Sequence, residues 1–335
     1  MILMSKRFLA AACAAATALA LSACSSAPSS EGNASKDGTL TVMASFYPLQ
    51  YLAEKIGGEH VTVTSLTPAG AEPHDLELSP KTVDALASAD AVVYLAGFQA
   101  AVDEAIEQQA PTTVIDVSPA VELVEANSSA NHPSEDEDAD EAQSGESTTE
   151  EHADHDHEGH HHDMSTDPHF WLDPVRMASA ATLVGDKLAE ADPANADTYK
   201  ANAQALNEEL SALGDDLVAK TATCQIKTFV TAHTAFGYLA DRTGLTQVGI
   251  SGLDPDSSPS PARLAEIGQI AKDQGVTTIF TEALIDPKVA QTLADDLGIS
   301  TAVLDPIESQ TDSSKDYVAV MKDNINALST ANNCQ

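Results

Sequence analysis

The chain has 335 residues, a hydrophobic fraction of 43%, an aromatic fraction of 4% and a formal charge of −36. That length exceeds what one ordinary core organises, so two domains are expected. A charge this negative excludes a nucleic-acid partner, because phosphate would be repelled rather than neutralised.

At the start of the chain, Lys6 and Arg7 precede an Ala/Leu-rich apolar run from Phe8 to Leu21. The run is short for a membrane span, so residues 1–23 read as a signal peptide. Leu21-Ser22-Ala23-Cys24 follows at once and resembles the bacterial lipobox, whose cysteine is lipidated and becomes the first residue after cleavage. The alternative is a plain secretory signal with an incidental cysteine. Ser25, Ser26, Pro28 and Ser29 open a segment, residues 24–38, that reads as a lipid-anchored flexible tether.

From Thr39 onward, short β-branched runs alternate with helical patterns. Strands are predicted at 40–44, 61–66, 91–95 and 113–117, and again at 227–232, 277–281 and 301–304. Ser79-Pro80, Ser260-Pro261 and Asp286-Pro287 each place a capping side chain before a proline at a helix start. Gly275 and Gly298 stand where helices should end. This alternation predicts an α/β protein of two lobes, each a mostly parallel sheet flanked by helices. The N-terminal lobe is expected over 39–190 and the C-terminal lobe over 223–335. Between them Leu206, Leu210, Leu213 and Leu217 recur at helical spacing, which predicts one long rigid linking helix over 191–222.

One segment breaks the pattern. Residues 131–164 contain thirteen Asp or Glu, seven His and no Lys or Arg. Such a composition cannot bury enough apolar surface to offset its ordering entropy, so a disordered loop inside the first lobe is expected. His152, His155, His157, His160, His161 and His162 form an accessory set that would collect metal weakly and reversibly; a solvated acidic insertion is the bland alternative.

Only His60, His74, His169 and His233 of the eleven histidines lie outside that loop. His74 ends the stiff turn Thr67-Pro68-Ala69-Gly70-Ala71-Glu72-Pro73-His74. His169 sits in Asp167-Pro168-His169-Phe170-Trp171-Leu172-Asp173-Pro174, and His233 ends the 227–232 strand. Two of these positions follow strand ends, where open α/β sheets bind ligands. Imidazole is the commonest protein ligand of Zn²⁺, and three leave one tetrahedral position to fill. Glu282 and the Asp305/Glu308 pair follow strands late in the second lobe and could fill it; spacing favours Glu308 as the fourth ligand, with Asp305 the alternative. Glu282 reads either as a strand-end polar residue or as an outer partner of an imidazole. Trp171 is expected to pack against His169, and His60 has no assigned role. Cys224 and Cys334 remain once Cys13 and Cys24 are set aside, and in an exported chain a disulfide between them is permitted; two separate buried thiols are the alternative.

Ser45-Phe46-Tyr47-Pro48, the segment around His74, Asp167–Pro174 and the run from His233 to Leu239 together resemble the zinc-binding solute-binding proteins of bacterial ABC importers, of the ZnuA and AdcA type. The resemblance runs from Leu40 to the C-terminus and covers the lipobox and the His/acid-rich insertion. It implies two α/β lobes joined by a long helix, with metal at their interface and His74, His169 and His233 as zinc ligands. Manganese-binding relatives carry a carboxylate at the third of these positions, so a histidine there favours Zn²⁺. The implied function is capture of Zn²⁺ outside the cytoplasm by a monomer anchored to the outer face of the membrane, and delivery to an ABC permease. A manganese-binding protein, a surface adhesin or metal buffer, and a zinc hydrolase are the competing readings.

Overall fold

The structure is a computed structural model in which residues 39–126 and 165–335 are described. The signal peptide, Cys24, the tether and the loop histidines, from His132 to His162, lie outside the described residues. In chain order the first lobe contains β1 (Leu40–Ala44), α1 (Tyr47–Gly57), β2 (Val61–Ser65), α2 (Pro80–Leu86), β3 (Ala91–Tyr94), α3 (Ala100–Gln109), β4 (Val114–Asp116) and the short α4 (Ser118–Val121). Helices α5 (Pro174–Ala191) and α6 (Ala196–Thr221) follow. The second lobe contains β5 (Thr228–Thr231), α7 (Gly237–Thr243), β6 (Thr246–Gly249), α8 (Pro261–Asp273), β7 (Thr278–Thr281), α9 (Lys288–Leu297), β8 (Ser300–Val303) and α10 (Tyr317–Ala331).

Among the described residues the strands form two parallel four-stranded sheets, ordered β2-β1-β3-β4 and β6-β5-β7-β8. The two orders are the same topology repeated. Seven strands fall within one residue of the predicted bounds. The eighth, β6, is a correction: Thr246-Gln247-Val248-Gly249 is short, carries an amide side chain and ends in glycine, so it lacks the β-branched run that marks the others. Ser79 and Ser260 cap α2 and α8 as predicted, each accepting a backbone N–H from the first turn. Gly298 closes α9 in the left-handed region at φ +69°.

The central strands β1, β3, β5 and β7 are largely covered on both faces, which is why they read as apolar runs, while the edge strands β2 and β8 keep exposed positions. Side chains alternate across the pleat. Val42 and Ala44 enter a central core while Met43 enters a separate one, and Phe229 and Phe280 face the central core while Val230 and Ile279 turn away. The central core holds residues of both sheets together with α1, α5, α6, α7 and α10. The outer faces have smaller cores of their own, with Leu86 and Val102 on one side and Ile267 and Leu293 on the other. The two lobes therefore share one apolar interior.

The linking helix α6 begins at Ala196, not at 191, because α5 ends at Ala191 and Asp192–Asn195 make the turn. Its apolar stripe, Leu206, Leu210, Leu213 and Leu217, is buried. It touches α1 of the first lobe and α7 and α10 of the second. Helices α5 and α6 pack closely at two glycines: a Cβ on Gly185 would lie 2.4 Å from Ala203 Cβ, and one on Gly214 2.8 Å from Val175 Cγ2. Arg242 of α7 pairs with Asp173, the N-cap of α5, adding a polar tie between the lobes. Cys224 and Cys334 are joined by a disulfide across a separation of 110 residues, pinning the C-terminus to the start of the second lobe.

The close α5–α6 contact predicts that Gly185→Val lowers stability by about 1 to 3 kcal/mol through overpacking. Asp186→Val, at the exposed neighbouring position, should stay within about 0.5 kcal/mol. Urea unfolding of the metal-free variants measures both.

Candidate metal centre

The strand order reverses between β1 and β3 in one sheet and between β5 and β7 in the other, and ligands of open α/β sheets sit beyond the carboxyl ends at such points. His233 lies two residues after β5 and Glu282 directly after β7, its neighbour in the sheet. The His233 carbonyl is fixed by Thr231 Oγ1 at 2.6 Å and by Gln247 Nε2 at 3.0 Å. The unanticipated strand β6 thus supports a site residue through its one amide side chain.

His74 is carried by the loop after β2. Pro68 to Ala71 close a turn of type II, with Gly70 at φ +79°, where a side chain would be strained. Buried Gln99 then donates to Thr67 Oγ1 and to the Pro73 carbonyl, both at 3.0 Å. Glu72 accepts the His74 N–H at 2.9 Å. The His74 ring meets Phe98 edge-on, with centroids 4.9 Å apart.

His169 begins the single-turn 3₁₀ helix Phe170–Leu172 and packs on Trp171, ring centroids 5.2 Å apart. Trp171 is fully buried against Phe46 and Phe98. Its Nε1–H donates to the Pro306 carbonyl at 2.7 Å, which ties the His169 segment to the loop after β8. That loop places Glu308. Asp305 accepts the Ile307 N–H at 2.8 Å, Asn324 brackets Asp305, and Ile307 sits at φ +58°. A buried β-branched residue in that region is a strained conformation, held by its surroundings and typical of a functional turn.

These segments bring His74, His169, His233 and Glu308 together, with one donor atom from each within 4.8 Å of the others. Glu308 Oε1 lies 3.5 Å from His74 Nε2, 3.2 Å from His169 Nε2 and 3.3 Å from His233 Nε2. Tetrahedral zinc bonds of about 2.0–2.1 Å would separate ligand atoms by roughly 3.3–3.4 Å. The side chains are 5%, 0%, 0% and 3% exposed in the same order. All four of these atoms are buried without a hydrogen-bond partner. Buried polar atoms are rarely left unpaired, and four orphans aimed at one point match the donor set of a cation.

Two further carboxylates orient the rings. Asp167 Oδ1 meets His169 Nδ1 at 2.8 Å and also accepts the His169 backbone N–H at 3.0 Å. Glu282 uses both oxygens on one residue, Oε2 to His233 Nδ1 at 2.6 Å and Oε1 to the His233 N–H at 3.0 Å. Each carboxylate holds the proton on Nδ1 and leaves the Nε2 lone pair for the centre. Burial alone would push the His233 imidazole down, but the charge of Glu282, with Glu308, raises it to about 10. His169 is raised likewise: Asp167 and Glu308 outweigh burial. Burial pushes Glu308 up, yet the three facing imidazoles hold it well below the usual carboxylate range. These shifts favour an ionised Glu308 facing protonated imidazoles in the empty site.

Asp305 does not join the cluster. It is spent on the turn that presents Glu308, and burial raises its carboxyl. Glu282 does both things foreseen for it, ending a strand and partnering an imidazole. His60 stands apart, its ring 6.1 Å from that of Tyr199. Sequence reasoning missed Asp167, although Asp-Pro-His is a usable signal, and missed Gln99 and Gln247, which carry none.

Two predictions follow from this chemistry. Glu282→Gln sets an amide NH₂ against a donor of His233, so zinc affinity should fall about 10- to 100-fold. Asp167→Asn should cost less, because one oxygen of Asp167 makes both bonds to His169 and the other has no partner. Competition with a chromophoric chelator ranks the two. Because the charge of Glu282 and Glu308 raises the His233 imidazole to about 10, a bound ion is expected to displace at least one proton. Zinc affinity should then fall by about tenfold or more per unit as pH drops from 7 to 6; titrations at the two values measure it.

A family model described as the zinc-uptake complex component A, periplasmic, matches residues 42–331. The zinc-binding protein AdcA of Streptococcus pyogenes is 33% identical over 307 residues, covering 87% of this chain but 56% of that protein. This chain thus spans little more than half the length of that relative. The high-affinity zinc uptake system protein ZnuA of Bacillus subtilis is 35% identical over 322 residues, covering 94% of each chain. Among solved structures, the Zn(II)-bound ZnuA-like domain of Streptococcus pneumoniae AdcA superposes with a TM-score of 0.68 at 29% identity, covering 88% of this chain and 99% of that one. With nearly its whole described body matched by the family model and a relative aligned end to end, the chain belongs to the ZnuA family of zinc-uptake solute-binding proteins.

Proposed function

We propose that this protein captures Zn²⁺ outside the cytoplasm with high affinity and delivers it to an ABC-type importer in the membrane. The observation that carries the reading is the convergence of four unpaired, buried donor atoms from His74, His169, His233 and Glu308. Three imidazoles and one carboxylate suit Zn²⁺ better than Mn²⁺, which prefers more oxygen ligands. The expected lipid at Cys24 and the tether after it would keep the body at the membrane surface, within reach of a permease. The loop histidines His152, His155, His157, His160, His161 and His162 would raise the local zinc concentration near the centre.

The ion is cargo, and this chain's residues bind it, shield it and release it. Asp167 and Glu282 present the correct imidazole tautomers, and the near-complete burial of the donors excludes water. Four protein ligands fill a tetrahedron, leaving no open position for an activated water. Asp167 and Glu282 are engaged with imidazoles. Among the described residues the nearest other carboxylate, Glu72, lies 3.9 Å from His74 Nε2, with its second oxygen accepting backbone N–H groups. With four protein ligands on the ion there is no bound water for it to deprotonate, which weighs against a hydrolase. The shared interior of the lobes favours small rocking and loop ordering over wide hinge closure during loading.

Zinc and manganese titration of a soluble form beginning at Ser25 and lacking residues 127–164 tests the proposal. One tight zinc site is expected, with manganese at least about 100-fold weaker. His74→Ala, His169→Ala and His233→Ala should each weaken zinc by at least about 100-fold, since each removes a direct ligand and exceeds the loss expected from an outer partner. Unaltered zinc affinity in these variants would move metal binding elsewhere and overturn the reading.

A further inference from the structure

His169 and His233 are steered through Nδ1 by buried carboxylates, but His74 is not: its Nδ1 is buried with no hydrogen-bond partner. What holds His74 acts through the backbone of its loop. Glu72 and Gln99 belong to the same lobe and fix the loop internally. A third bond is different in kind. The Gly70 N–H donates to Ser309 Oγ at 2.7 Å, crossing from the loop after β2 to the loop after β8. Ser309 is the chain neighbour of Glu308, and Gly70 lies four residues before His74. The bond therefore spans the same gap as the 3.5 Å approach of Glu308 Oε1 to His74 Nε2. Ser309 is 5% exposed, so water competes poorly for its hydroxyl. The type II turn aims the donor: a residue at φ +79° turns its N–H away from the loop's own carbonyls.

We propose that Ser309 is a positioning residue, an interlobe latch that holds the His74 loop against the Glu308 loop and sets how slowly the bound ion leaves. The inference rests on the zinc reading above and deepens it. Ser309 is not among the four donors; it acts on His74 by closing the backbone that carries it. Loss of the hydroxyl should speed release and leave capture unchanged, since encounter needs no latch.

The test uses the full chain loaded with one equivalent of Zn²⁺ and mixed rapidly with excess chelator. Ser309→Ala should release zinc about threefold to tenfold faster, the range of one neutral hydrogen bond. Ser309→Thr, which restores the acceptor, should release near the wild-type rate. In a His74→Ala background, Ser309→Ala should change nothing further, and the metal-free Ser309→Ala protein should melt within about 4 °C of wild type, the cost of one hydrogen bond. Wild-type release from Ser309→Ala, or equal acceleration with and without His74, would overturn the latch while leaving the zinc site standing. A wild-type chain that retains no zinc would instead remove the zinc reading and this inference with it.

Discussion

Holding a carboxylate oxygen 3.2 to 3.5 Å from three imidazole nitrogens, all buried and none hydrogen-bonded, is costly for a protein unless something cationic fills the centre. Desolvation removes water as a partner, and the low dielectric magnifies each unmatched charge. With Asp167 and Glu282 close behind, three buried carboxylates face the site, and among the described residues none of the three pairs with a lysine or arginine. Protons on His169 and His233 relieve part of this in the empty site. A divalent cation relieves it more completely and displaces those protons. The rest of the architecture serves to keep the four donors at this separation while water stays out.

That task explains features that look unrelated along the chain. The donors come from four separate segments, so each needs its own support, and the supports cross-link. Trp171 packs beneath His169 and also donates to the loop of Glu308. Gln247 and Thr231 hold the His233 carbonyl, and Asp173 receives Arg242 from the opposite lobe. Ile307, forced to φ +58° beside Glu308, is the kind of backbone strain that persists only when neighbours overdetermine it. The common core running through α6 makes the lobes one mechanical body, which suits a device that must hold a small ion in fixed geometry rather than close around a large solute.

Much of this was legible in the residue order, for reasons that differ from part to part. The sheets were readable because parallel strands buried on both faces must be apolar and β-branched; β6 escaped because Gln247 interrupts that pattern to serve the site. The linking helix was readable from its leucine stripe, although Asp192 and Pro193 break it later than expected. His74, His169 and His233 stood out because so few histidines lie outside the acidic loop and each sits among prolines or at a strand end. Between Asp305 and Glu308, spacing favoured Glu308, but the reason it is the one turned inward was not legible. Both lie in one short turn, and only the left-handed residue between them sends one carboxylate inward and leaves the other capping the backbone. Ser309 and Gln99 carry no local signal at all, because their partners are far away in sequence.

X-ray absorption at the zinc edge, on protein loaded with one equivalent of metal, reads the ligand set of the centre directly. Four light ligands near 2.0–2.1 Å are expected, three with the outer-shell scattering of imidazole and one oxygen, with no sulfur. A six-coordinate spectrum, a zinc–sulfur distance near 2.3 Å, or fewer than three imidazoles would contradict this ligand set.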